Sequence, residues 1–178
     1  TLKYIFFFWC FLPVSASAQN ETVAMNNQQG NFVPSMLRVP FFDPYTLDVN
    51  IEQLKNGTYE IVAVIDFLNG SYTASPLSDK NYTGAFKIEI ADEKNLKLNP
   101  TIEEIPRSKP TTDEFGGIPQ DWVREKTTYR QRLILQDKMD FEVGGKVSFT
   151  IEPRCTFEEI PFMIKFKNGI MTIEPWGC

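Results

Sequence analysis

The apolar residues of this chain recur at every second position, the period of a half-buried strand. Leu47, Val49 and Ile51 fall on one face, and Asn56-Gly57 then supplies the residues of a tight hairpin turn. The run from Thr58 to Leu68 places Tyr59, Ile61, Ala63, Ile65 and Phe67 on one face and Val62 and Val64 on the other. That is the pattern of a central strand covered on both sides. Asn69-Gly70 closes it. Further strands are predicted at Ala85 to Ala91, in part of Asn95 to Ile105, at Thr127 to Leu135, at Lys146 to Glu152, at Phe157 to Lys167 and, after the turn Lys167-Asn168-Gly169, at Ile170 to Glu174. No 3.6-residue period competes with this alternation. The expectation is an all-β antiparallel sandwich of seven to nine strands with under about a tenth helix. Pro106 to Trp122, with three prolines and Gly116-Gly117, reads as the longest segment without a strand.

Two segments precede the alternating part. Lys3 is followed by the apolar run Tyr4 to Leu12, too short to span a bilayer, and Ala16-Ser17-Ala18 supplies the small residues of a signal-peptidase site. Residues 1–18 are therefore expected to be a cleaved export signal. Residues 19–40, centred on Asn26-Asn27-Gln28-Gln29-Gly30-Asn31, are polar and aperiodic and read as a flexible lead-in. Residues 41–178 form the expected domain, and no later apolar stretch has the length of a membrane helix.

Charge and composition narrow the chemistry. After the signal, 17 basic and 23 acidic residues remain, a net charge of −6 that repels phosphate backbones, so nucleic acid is not an expected partner. The chain contains no histidine, which removes the commonest general base and zinc ligand together. No phosphate loop or nucleophile elbow is present, and the pattern calls for neither cofactor nor metal. The carboxylate pairs Glu103-Glu104 and Glu158-Glu159 are strand neighbours that point to opposite faces, and they read as solvated charge. Sequons at Asn20, Asn56, Asn69 and Asn81 are glycan acceptors only in a eukaryotic secretory route.

Two cysteines follow the signal, Cys155 and Cys178, and they are the candidate chemical groups. Arg154 beside Cys155 favours the thiolate while Glu158 and Glu159 oppose it, so the sign of the effect is open at this level. An antiparallel hairpin turning at Lys167-Asn168-Gly169, with arms of comparable length, would carry Cys178 back to Cys155 and allow a disulfide. Its 24-residue loop would contribute about 3 kcal/mol.

With the strands placed, Leu47 to Lys167 resembles the N-terminal domain of the bacterial thiol:disulfide interchange protein DsbD, an immunoglobulin-like sandwich that faces the periplasm. Leu54-Lys55-Asn56-Gly57-Thr58-Tyr59-Glu60-Ile61-Val62-Ala63-Val64-Ile65 is similar to that family's first strand, and Gly70-Ser71-Tyr72-Thr73-Ala74-Ser75 to its glycine-tryptophan-histidine segment. Phe115-Gly116 with Lys126-Thr127-Thr128-Tyr129-Arg130-Gln131, and Gly145-Lys146-Val147-Ser148-Phe149-Thr150, match later strands. Arg154-Cys155-Thr156-Phe157-Glu158-Glu159-Ile160-Pro161-Phe162 falls on the redox segment, with Cys155 in the place of the second cysteine of the pair. The first would fall at or near Thr150 or Ile151, where no cysteine stands. The resemblance implies a stand-alone periplasmic domain with an incomplete pair, a protein partner such as a periplasmic thioredoxin-like protein, and an aromatic cap over the cysteine, for which Tyr72 or Tyr82 is the candidate. Two rival expectations stand beside it: a structural or adhesive secreted sandwich with an inert disulfide, and a secreted glycoprotein.

Overall fold

The computed structural model describes residues 44–78, 84–111 and 120–176. The expected signal and lead-in lie outside the described residues, as do Tyr82, Asn81, Phe115-Gly116 and Cys178. Eleven strands follow in order: β1 (Tyr45–Gln53), β2 (Tyr59–Phe67), β3 (Thr73–Ala74), β4 (Lys87–Ile90), β5 (Leu96–Ile105), β6 (Pro110–Thr111), β7 (Gln120–Val123), β8 (Thr127–Leu135), β9 (Phe141–Ile151), β10 (Thr156–Lys167) and β11 (Ile170–Pro175). Among the described residues there is no helix, and none of them could cross a membrane as one.

Eight strands build two antiparallel sheets, in the orders β1-β2-β8-β5 and β11-β10-β9-β4. Their inner faces meet through rings: Tyr45 lies edge-on to Phe149 at 4.9 Å, and Phe86 stacks on Tyr129 at 3.9 Å. The architecture is an immunoglobulin-like β-sandwich. β2 is central, between β1 and β8, and Ile61, Ala63 and Ile65 on its inner face have no exposed surface. Val62, on its other face, is also buried. Arg130 on β8 explains part of this: its guanidinium reaches past β2 to Glu52 on β1 at 2.7 Å, laying its stem across the outer face.

The strand count differs from the expected seven to nine because three short strands, β3, β7 and β6, pair in a small sheet of their own. β3 and β6 have two residues each, below the length at which alternation is visible, and β6 and all of β7 but Val123 lie inside the stretch Pro106 to Trp122 expected to hold none. β9 also starts five residues before the predicted Lys146, running through Gly144-Gly145. These glycines are not turn residues. A Cβ on Gly145 would sit 2.3 Å from the Phe162 ring, and one on Gly144 would fall 1.8 Å from the Trp176 ring, so both are there to let rings lie on the sheet.

Turn chemistry behaves as predicted at the hairpins. Gly57 has φ +80° in the β1–β2 turn, and Asn168 and Gly169, at φ +53° and +78°, form the two-residue turn that pairs Lys167 with Ile170.

Candidate functional site

β9 and β10 form the longest hairpin, with Ile151 opposite Thr156. Glu152, Pro153, Arg154 and Cys155 therefore make its turn, and Cys155 lies opposite Glu152. Cys155 is exposed and its thiol is free. Its Sγ donates to Glu152 Oε2 at 3.2 Å and has the Pro153 carbonyl at 3.9 Å. Its φ is +52°, the left-handed region that glycine and asparagine occupy readily and other residues at a cost of order 1–2 kcal/mol.

The geometry settles the sign left open by sequence. Donating a hydrogen bond to the Glu152 carboxylate, and the negative charge of that group, push the Cys155 thiol above its ordinary pKa. The acids named from sequence are engaged elsewhere. Glu158 accepts from the Tyr45 hydroxyl at 3.4 Å, and Glu159 accepts from Lys146. The Glu152 contact thus favours the protonated form of Cys155.

Tyr72 arrives beside this turn through the backbone. Its N–H donates to the Glu152 carbonyl at 3.1 Å, and the Glu152 N–H donates to the Tyr72 carbonyl at 2.8 Å. The Tyr72 ring packs edge-on to Trp122 at 5.0 Å, and the Arg124 guanidinium lies 3.8 Å over it. The candidate cap and the candidate cysteine therefore share one end of the sandwich, with the ring held between Trp122 and Arg124. Tyr82 lies outside the described residues.

The registry removes the argument offered for a Cys155 to Cys178 bridge. β10 has 12 residues and β11 has 6, so the arms are not comparable. β11 ends with Pro175 opposite Phe162, and Trp176 donates to the Pro161 carbonyl at 3.4 Å. Pro161 is six residues from Cys155, about 20 Å along a strand at ~3.3 Å per residue. Cys178 itself lies outside the described residues.

Two carboxylates differ from their expected role as solvated charge. Glu104 is 5% exposed and accepts from Ser75 Oγ, Ser108 N and Ser108 Oγ, each at 2.7 Å. Glu158 turns inward to Tyr45, whereas its neighbour Glu159 points outward. The buried Tyr129 hydroxyl has its pKa pushed well up, first by burial and then by the Glu104 charge across the β5–β8 pair. Ile102 and Glu104 share a face of β5, so the inward direction of Glu104 was visible in the alternation; its serine partners, 29 residues before and 4 after, were not.

No family model matches the chain, and no curated protein matches it. Among solved structures, it is similar to a chain from the complex between the DsbD N-terminal and PilB N-terminal domains of Neisseria meningitidis. The identity is 11%, covering 78% of this chain and 94% of that one, with a TM-score of 0.43. It is also similar to the GAE domain of GGA2p from Saccharomyces cerevisiae, with 12% identity, 74% and 97% coverage and a TM-score of 0.39. Both are similarities of overall fold.

Proposed function

We propose that this protein is an exported partner-binding module, periplasmic in location, that joins a disulfide-bearing protein through Cys155 and does not cycle electrons by itself. The observation that carries the reading is the exposed Cys155 thiol, presented in a left-handed turn at the tip of the β9–β10 hairpin beside Tyr72. A self-contained oxidoreductase needs a second sulfur about 2 Å away in the oxidised state. The residue opposite Cys155 is Glu152, and of Thr150 and Ile151, at or near which the family pattern would place a cysteine, the first is half-buried and the second has no exposed surface. The chemistry left to Cys155 is one exchange step: its thiolate attacks a partner's disulfide, a mixed disulfide forms, the partner's second sulfur leaves as thiolate, and the thiol proton passes to solvent.

The test uses a thioredoxin-like protein whose nucleophilic cysteine carries a thionitrobenzoate leaving group and whose resolving cysteine is replaced by serine. Release of the coloured thiolate at least tenfold faster than with a peptide spanning Arg154 to Phe157, and its loss in Cys155→Ser, support the reading. A rate equal to the peptide's shows that the domain does not recognise the partner. The raised thiol pKa then favours the second reading, a binding sandwich in which Cys155 is chemically silent.

A further inference from the structure

A groove of about 680 Å³ opens beside β5, at the β8–β5 edge of its sheet, and is lined by none of the residues invoked for Cys155. Three of the chain's six arginines, Arg107, Arg130 and Arg132, line it, in a protein whose net charge is −5. The groove exists because β5 bulges: Leu98 pairs with Leu133 and Ile102 with Gln131, so Asn99, Pro100 and Thr101 together oppose the single residue Arg132. Bulges of this kind re-aim side chains beside binding sites. The displaced backbone is caught by Gln131, whose Nε2 donates to the Asn99 carbonyl at 2.7 Å. That leaves Gln131 Oε1 buried and without a hydrogen-bond partner among the described residues.

The charges divide unevenly. Arg130 is committed, with Glu52 at 2.7 Å and Glu60 at 3.4 Å. Glu104 lines the groove, but its two oxygens are taken by Ser75 and Ser108. Among the described residues Arg132 reaches Glu60 through Nε, at 3.4 Å, and its side chain is 66% exposed. Arg107 has no ion pair among the described residues. Glu103 is the remaining acid of the lining and is exposed. Two guanidinium groups with donors unspent among the described residues thus line one opening whose size suits a small ligand.

We propose that this groove binds a small ligand through an oxyanion, a carboxylate or a phosphate, accepted by Arg107 and the guanidinium of Arg132. Planar guanidinium groups take both oxyanions in two parallel hydrogen bonds, and paired arginines hold them better than lysines do. Thr101, on the bulge, supplies a hydroxyl at the rim.

The test titrates the ¹⁵N-labelled protein separately with inorganic phosphate and with succinate, following the arginine Nε–Hε resonances. Saturable shifts at Arg107 and Arg132 with either probe, with a dissociation constant on the order of 1 mM, are expected. The double variant Arg107→Gln/Arg132→Gln should weaken that binding at least tenfold, while Lys87→Gln on the other sheet leaves it unchanged. Which probe binds identifies the oxyanion. Absence of saturation with both probes, or equal binding by the double variant, overturns the proposal. Both arginines are exposed, so the variants are expected to fold, and the single variants, each weakened severalfold, provide a second reading if the double variant does not.

Discussion

The Cys155 thiol and the Glu152 carboxylate face each other across the β9–β10 turn, Sγ to Oε2 at 3.2 Å, with the thiol as donor. The contact holds the proton on sulfur, since losing it would place two negative charges side by side. The turn thus presents the thiol and restrains it with the same four residues. Glu152→Gln removes the charge and keeps the shape. The thiol pKa is expected to fall, so that alkylation by iodoacetamide at pH 7.5 becomes severalfold faster, with the pH–rate curve displaced to lower pH. An unchanged curve would show that Glu152 does not govern the thiol. The folded-state pKa is raised, so this contact favours the fold below the ordinary thiol pKa, and the effect is lost as pH rises through the folded value.

The sandwich, its central strand and its hairpins were legible in the sequence because each rests on local chemistry: alternation at Tyr59 to Phe67, and Asn-Gly at residues 56–57 and 168–169. What escaped depends on contacts between distant residues. β9 begins ahead of the predicted Lys146 and runs through Gly144-Gly145, where the rings of Trp176 and Phe162 lie over the backbone. Cys155 and Tyr72 are readable as candidates, but the acid that controls the thiol is Glu152 and not Glu158 or Glu159, because nearness along the chain says nothing about which side chain folds back at a turn. β11 itself runs within one residue of the predicted Ile170 to Glu174; what fails is the expectation that the two arms are comparable, since β10 is twice as long.

Ile61 and Ile65 test the placement of the core. Both lie on the inner face of β2 with no exposed surface. Truncation of either to alanine is expected to cost about 2–5 kcal/mol, read as a lower urea midpoint at unchanged slope. Losses below about 1 kcal/mol at both positions would mean that the two sheets do not close over β2.

Glu104 offers a test of the buried polar cluster. Glu104→Gln replaces an acceptor of three hydrogen bonds by an amide whose NH₂ end meets the donors of Ser75 and Ser108. A loss of about 1–3 kcal/mol is expected from the mismatched donors. The same change removes a negative charge facing Tyr129, so the Tyr129 pKa should fall, yet stay above that of an exposed tyrosine because burial is the larger cause. Ultraviolet titration of tyrosine ionisation separates the two effects. A stability loss without a Tyr129 shift would place Glu104 too far from the ring to matter electrostatically.

The two adjacent glycines of β9 should respond differently to one added methyl group. Gly145 faces the core, where a Cβ would meet the Phe162 ring at 2.3 Å and the Glu89 carbonyl at 2.7 Å, and Phe162 has no exposed surface into which to retreat. Gly145→Ala is therefore expected to cost about 1–3 kcal/mol or more by overpacking. Gly144 faces outward, and the three atoms nearest to its Cβ would all belong to the Trp176 ring, the first at 1.8 Å. That ring is 53% exposed and can swing away, so Gly144→Ala should cost under about 1 kcal/mol, partly offset by the lower entropy of alanine in the unfolded chain. Displacing Trp176 leaves its indole more hydrated, which shifts its fluorescence to longer wavelength, whereas Gly145→Ala should leave that emission in place. Paired unfolding curves and emission spectra of the two variants check both halves. Equal costs, or a red shift in Gly145→Ala only, would show that the outward and inward faces of β9 have been exchanged.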